Sequence, residues 1–122
     1  MSSPAAASRQ RLFMAFAVLF IGAALFHAVH VFVPEAGPAS PPWRHALFVI
    51  INLVVAACLL SRPRVFVGAF AILTLQQMYG HGSMALDAWQ TQRQVDWMSL
   101  GIVVLMPVIF VLLVLDARRT SD

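Results

Sequence analysis

A chain of 122 residues that is 61% apolar and only 11% charged lies far from the roughly 25% charged residues of an ordinary soluble domain, and it leaves too little polar surface to cover a core in water. The formal charge of +3 comes from eight arginines without a lysine, and no basic face interleaved with aromatics accompanies it, so nucleic acid is excluded as a partner. The single cysteine, Cys58, sits in an apolar run where it has no CxxC partner and can form no intrachain disulfide.

Residues 1–11 read as a short cytoplasmic tail carrying Arg9 and Arg11. Residues 12–33 then form an uncharged apolar run. A membrane span needs about 20 such residues, whereas the apolar region of a signal peptide has about 7 to 15, so this run is a retained span. Pro41-Pro42 suits the start of a second span, 43–61, and Ser61-Arg62-Pro63-Arg64 reads as a tight turn. A third span, 65–81, passes through Gln76, Gln77 and Tyr79 to a breaker at Gly80-His81-Gly82. Residues 83–95 make the longest connection, with room for a short surface helix, and a fourth span covers 96–115 before the tail 116–122.

Backbone groups in lipid must be satisfied internally, and the four runs lack the two-residue alternation of a barrel, so the expected fold is all-α. Short connections make it a four-helix transmembrane up-down bundle. Arg9, Arg11, Arg62, Arg64, Arg118 and Arg119 fall on one side and only Arg44 and Arg93 on the other. The arginine-rich side is cytoplasmic by the positive-inside rule, which gives an N-in/C-in, multi-pass protein of a bacterial inner membrane. Trp43, Trp89 and Trp97 then lie in the outer interfacial belt.

This topology gathers all four histidines at the outer face. With a rise of about 1.5 Å per residue, His27 and His30 lie roughly 22 and 27 Å above Leu12, while His45 opens the second span and His81 closes the third. Imidazoles suit copper, zinc and the iron of haem, and Met78, Met84 and Met98 add thioethers nearby, so His27, His30, His81 and His45 are the candidate metal ligands. His27 is the deepest and carries the most weight; His45, next to Trp43-Arg44, reads more simply as an interface residue and carries the least. Asn52, Thr74, Gln77 and Asp96 are the candidate pocket or cofactor-binding residues, because helical spacing puts each on a polar face of its helix. Their plainer roles are helix association for Asn52, Thr74 and Gln77, and capping of the fourth helix for Asp96. Glu35 and Asp87 read as loop charges.

No HExxH, GxSxG, Walker A or GxGxxG motif is present, and His81, Ser83 and Asp87 crowd together without a scaffold that would make them a triad. No internal repeat stands out. A metal- or haem-binding pocket is the leading functional expectation, whether the metal is copper or zinc. Its rivals are a non-catalytic accessory or assembly subunit of a larger membrane complex, and a small-solute transporter or membrane enzyme. The expected partners are the lipid bilayer and either another membrane protein or a second copy of the chain.

Overall fold

The computed structural model describes residues 4–33 and 40–119, and among them the structure is helical, without a strand. Glu35 lies outside the described residues. The elements are α1 (Pro4–Phe32), α2 (Pro42–Ser61), α3 (Arg64–Asp87), a π-helical turn (Ala88–Gln92) and α4 (Trp97–Arg119). They form two compact units, the first ending at Arg62 and the second beginning at Pro63. Each unit is a helical hairpin, α1 on α2 in one and α3 on α4 in the other.

In the first hairpin the buried residues of α1 are Phe13, Phe16, Ala17, Phe20 and Ala24, a stripe spaced by three, four and seven, and His30, which lies 14 residues after Phe16. The facing stripe on α2 is His45, Asn52, Val55, Ala56 and Leu59. Both stripes are apolar at the end where the arginines lie and turn polar at the other. α2 starts cleanly because Pro42 stands where a backbone N–H would have no helical partner. It ends at Arg62, which adopts the left-handed conformation (φ 51°) and donates its backbone N–H to the Cys58 carbonyl at 2.7 Å. A non-glycine residue pays about 1–2 kcal/mol for that backbone. Arg62 recovers contacts across the hairpin: its Nη2 donates to Gln10 Oε1 at 2.6 Å, and its guanidinium lies 5.2 Å from the centre of the Phe13 ring.

In the second hairpin Phe66, Phe70 and Thr74 are buried on α3, one turn apart. Ser99, Met106, Ile109, Leu113 and Asp116 are buried on α4. The helix does not stop at Gly80-His81-Gly82, as the sequence leads one to expect; α3 runs on to Asp87. Neither glycine takes a positive φ. A glycine inside a helix costs only about 1 kcal/mol relative to alanine, and the helix formers Met84, Ala85 and Leu86 follow, so the pair weakens the helix without ending it. The end comes at the π-helical turn, closed by Arg93 in the left-handed conformation (φ 53°) with its N–H on the Ala88 carbonyl. α4 passes through Pro107 without interruption.

Three of these helices are long and apolar enough to cross a membrane: Ala6–Phe32, Pro42–Ser61 and Trp97–Arg119. Their large apolar side chains outside the stripes, such as Val18, Leu25, Ile50 and Val104, are exposed on the chain's surface, as lipid-facing residues are. The chain is therefore a small multi-pass helical membrane protein. At 24 residues α3 has the length, about 36 Å, but Gln76, Gln77 and His81 dilute its apolar character below that of the other three.

Candidate functional site

At the end of the first hairpin remote from Arg62, three histidines meet. His27 and His30 come from the last turns of α1, and His45 from the first turn of α2. His27 Nδ1 and His45 Nδ1 are 3.0 Å apart. Two ring nitrogens at that distance share one proton between them, so one carries N–H and the other presents its lone pair. The His30 ring stacks on His45 with centroids 5.1 Å apart, and His30 Nδ1 donates to the Phe26 carbonyl at 2.7 Å. That bond fixes the tautomer of neutral His30 and leaves Nε2 as its lone-pair nitrogen, the orientation by backbone that metal-ligating histidines use.

Aromatic rings frame the group. Phe48 stacks on His27 at 5.1 Å, and Phe26 meets His30 at 4.3 Å and His27 edge-on at 5.6 Å. His30 and His45 are only 5% and 7% exposed. The position of His45 corrects the sequence reading, which gave it the least weight: it is the buried ring that both other histidines meet. Adjacency to Trp43 and Arg44, both exposed, disguised a residue on the opposite side of the helix turn.

His81 belongs to the second hairpin and has different partners. Ser99, wholly buried at the start of α4, donates its hydroxyl to Asp96 Oδ2 at 2.6 Å and its backbone N–H to Asp96 Oδ1 at 3.0 Å. Asp96 is thus the cap of α4, the role its position suggested. It lies just outside the span, and the Ser99 hydroxyl and amide hold its carboxyl below the ordinary carboxylate range, with His81 adding a smaller attraction. His81 Nδ1 lies 3.1 Å from Ser99 Oγ. Because the serine's one proton points to the carboxylate, His81 donates to the hydroxyl, and the chain runs imidazole to hydroxyl to carboxylate. A nucleophilic serine would need the reverse, with its proton on the imidazole. A groove of about 400 Å³ beside this station is lined by Met84, Asp87, Gln92 and Asp96 among others.

The remaining candidates are scattered. The Asn52 amide donates to the Phe48 carbonyl of its own helix at 2.7 Å. Thr74 is buried, and its hydroxyl has no hydrogen-bond partner among the described residues. Gln77 donates to Gln76 Oε1 at 2.9 Å on the α3 surface. Ser83 donates to the Gly80 carbonyl, so it joins no triad with His81. Among the described residues no three His, Cys, Asp or Glu side chains converge as a metal-binding group. Ser99 is not among the candidates named from the sequence; its i, i+3 spacing from Asp96 is the signal that could have found this buried hydroxyl between a carboxylate and a histidine. Comparison with known protein families, curated proteins and solved structures finds no match to this chain.

Proposed function

We propose that this protein crosses the membrane four times with both termini in the cytoplasm, and that its His27–His45 pair binds one copper or zinc ion at the outer face. The observation that carries the metal reading is the 3.0 Å separation of the two Nδ1 atoms. Two metal–nitrogen bonds of about 2.05 Å meeting at 90–109° hold their nitrogens roughly 2.9–3.3 Å apart, so the two nitrogens already stand at the separation one ion requires, and each ring turns by roughly 35–45° to aim its lone pair at it. Haem fits less well, since two imidazoles in line across an iron stand about 4 Å apart with a porphyrin between them, and these rings pack against one another. His30 supports the site from beside it through its stacked ring.

Two protein ligands leave coordination positions for water or for a donor from another molecule, and such a site exchanges its ion more readily than a closed one. This favours a role in receiving or passing on a metal ion, as an accessory or assembly subunit of a larger membrane complex does. Arg62 and Arg64 at the start of α3, and Arg118 and Arg119 at the end of α4, support passage of α3 across the bilayer. The second station, whose serine proton is committed to a carboxylate, gives no support to an acyl-transfer enzyme.

The test of the site is copper and zinc content of the protein purified in mild detergent, before and after incubation with each ion. Near one ion per chain, abolished in His27→Ala, is the expected result; no uptake by correctly folded protein rejects the site. The topology is tested by an impermeant thiol reagent on intact cells, with single cysteines at Ser40, Thr91 and Thr120 in a Cys58→Ala background. Labelling at 40 and 91 but not at 120 is expected. Labelling at 40 and 120 but not 91 would mean that α3 does not cross, and labelling at 120 but not 40 would overturn the orientation.

A further inference from the structure

The two polar stations have the same sequence spacing. His27 and His45 are 18 residues apart, and so are His81 and Ser99. Each residue of the first pair precedes its counterpart in the second by 54 residues. At the same offset, without a gap, 10 of the 53 residue pairs between 12–64 and 66–118 are identical. Ala15-Phe16-Ala17-Val18-Leu19 falls on Ala69-Phe70-Ala71-Ile72-Leu73, Trp43 on Trp97, Leu59 on Leu113 and Arg64 on Arg118. Matches among leucine, valine and alanine mean little in apolar helices. Histidine and tryptophan are another matter, since the chain holds only four of one and three of the other.

Burial supplies an independent check. Of the five buried residues of α2, four fall on buried residues of α4: His45 on Ser99, Asn52 on Met106, Val55 on Ile109 and Leu59 on Leu113. On the other helix of each hairpin the agreement is weaker: of the six buried residues of α1, two, Phe16 and Phe20, fall on buried residues, Phe70 and Thr74. Helical packing repeats roughly every three or four residues, so some coincidence is expected at any offset. The coincidence here occurs at the one offset that also superposes a side-chain hydrogen bond, a histidine and a tryptophan.

We infer that the chain is a tandem duplicate of one helical hairpin, residues 66–118 repeating residues 12–64, and that His81 and Ser99 hold in the second copy the station that His27 and His45 hold in the first. This goes against the sequence reading, in which no internal repeat stands out. Under the duplication, Ser99 is the replacement that decides the chemistry of the second station. A serine in place of the second imidazole removes a nitrogen ligand, and its hydroxyl is drawn to Asp96, which stands where the first hairpin has Pro42. Met84 stands where the first hairpin has His30, which leaves a thioether as the nearest soft donor in the corresponding turn. The second hairpin is a latent metal site one residue short of a pair.

The metal arm of the test rests on the proposed His27–His45 site. Full-length protein in mild detergent is titrated with copper or zinc ions alone, as wild type, His45→Ser, Ser99→His and the double variant. The expected stoichiometries are one, none, two and one ion per chain. A Ser99→His protein that keeps its helicity and still binds only one ion overturns the equivalence of the stations. The second arm needs no metal. In a Cys58→Ala background, cysteine pairs at 27/45 and 81/99, and an offset pair at 81/100, are treated with a short bifunctional thiol reagent and weighed intact. Both equivalent pairs should gain one internal linker and the offset pair should not. Linking at 27/45 without linking at 81/99 overturns the inference even where the wild type takes up no metal, an outcome that by itself rejects only the metal reading.

Discussion

The two hairpins solve the same packing problem with opposite polar chemistry. In the first, the far end closes on imidazoles, with His27 and His45 sharing a proton and His30 stacked beside them. In the second, the far end closes on a carboxylate that caps α4, a hydroxyl, and one imidazole that donates into them. An imidazole pair can exchange its proton for a soft cation. A hydroxyl already committed to a carboxylate cannot, and is a helix cap with a histidine attached. On the proposed reading, which side chain stands at the first turn of the second helix decides whether such a hairpin end is an ion-binding station or a structural one.

The sharpest way to break this comparison is to remove one histidine from each hairpin. His45→Ala should lower copper or zinc affinity by at least about 100-fold, because a two-ligand site that loses one ligand keeps little hold on its ion. His81→Ala should leave affinity unchanged within error. Metal titration of both proteins decides the matter, and equal losses would mean that the stations act together.

The helices were legible because apolar length and turn residues are signals of composition, which survive without knowledge of packing. Residues 43–61 and the turn Ser61-Arg62-Pro63-Arg64 lie close to the observed α2 and its left-handed cap. The end of α3 was not legible, since glycine marks a helix end only when the backbone takes a positive φ there, and at Gly80 and Gly82 it does not. Of the four candidate histidines, three meet in the first hairpin and His81 has its partners in the second, a division that the sequence did not show. Which ring meets which depends on helix rotation, and His45 was masked by the exposed Trp43 and Arg44 beside it. The repeat was hidden for a related reason: its informative residues are few, and only the observed hydrogen bonds and buried stripes single out the offset that aligns them.

A smaller effect should separate the stations in stability. Ser99→Ala removes the hydroxyl that joins His81 to the Asp96 carboxylate, both of them half-buried, and should destabilise the protein by about 0.5–1.5 kcal/mol. Thermal unfolding in detergent would show it; a change within error would mean that water replaces the hydroxyl. Thr74→Val should move stability the other way, by up to about 1 kcal/mol, because it removes a buried hydroxyl that has no hydrogen-bond partner among the described residues while keeping the shape. A clear loss of stability in Thr74→Val would show that the hydroxyl is satisfied after all.

The smallest expected effect is that of pH on the second station, and its sign follows from the cap. Hydrogen bonds from the Ser99 hydroxyl and backbone amide favour the ionised form of Asp96, so its carboxyl titrates lower in the folded protein than in the unfolded chain, where it takes its ordinary value of about 3.9. A group with a depressed folded value contributes stability that is fully present above the unfolded value and is lost as pH falls through the folded one. Asp96→Asn keeps an oxygen acceptor for the α4 amides but removes the charge. The difference in melting temperature between wild type and Asp96→Asn should therefore be steady near pH 6, narrow below about pH 4, and close at the acid end. His81 faces the same carboxylate through Ser99, so the comparison is repeated in a His81→Gln background to hold that charge constant. A gap that stays the same from pH 6 to pH 3 would mean that the carboxylate's charge contributes nothing, and that an oxygen acceptor at this position is all that α4 requires.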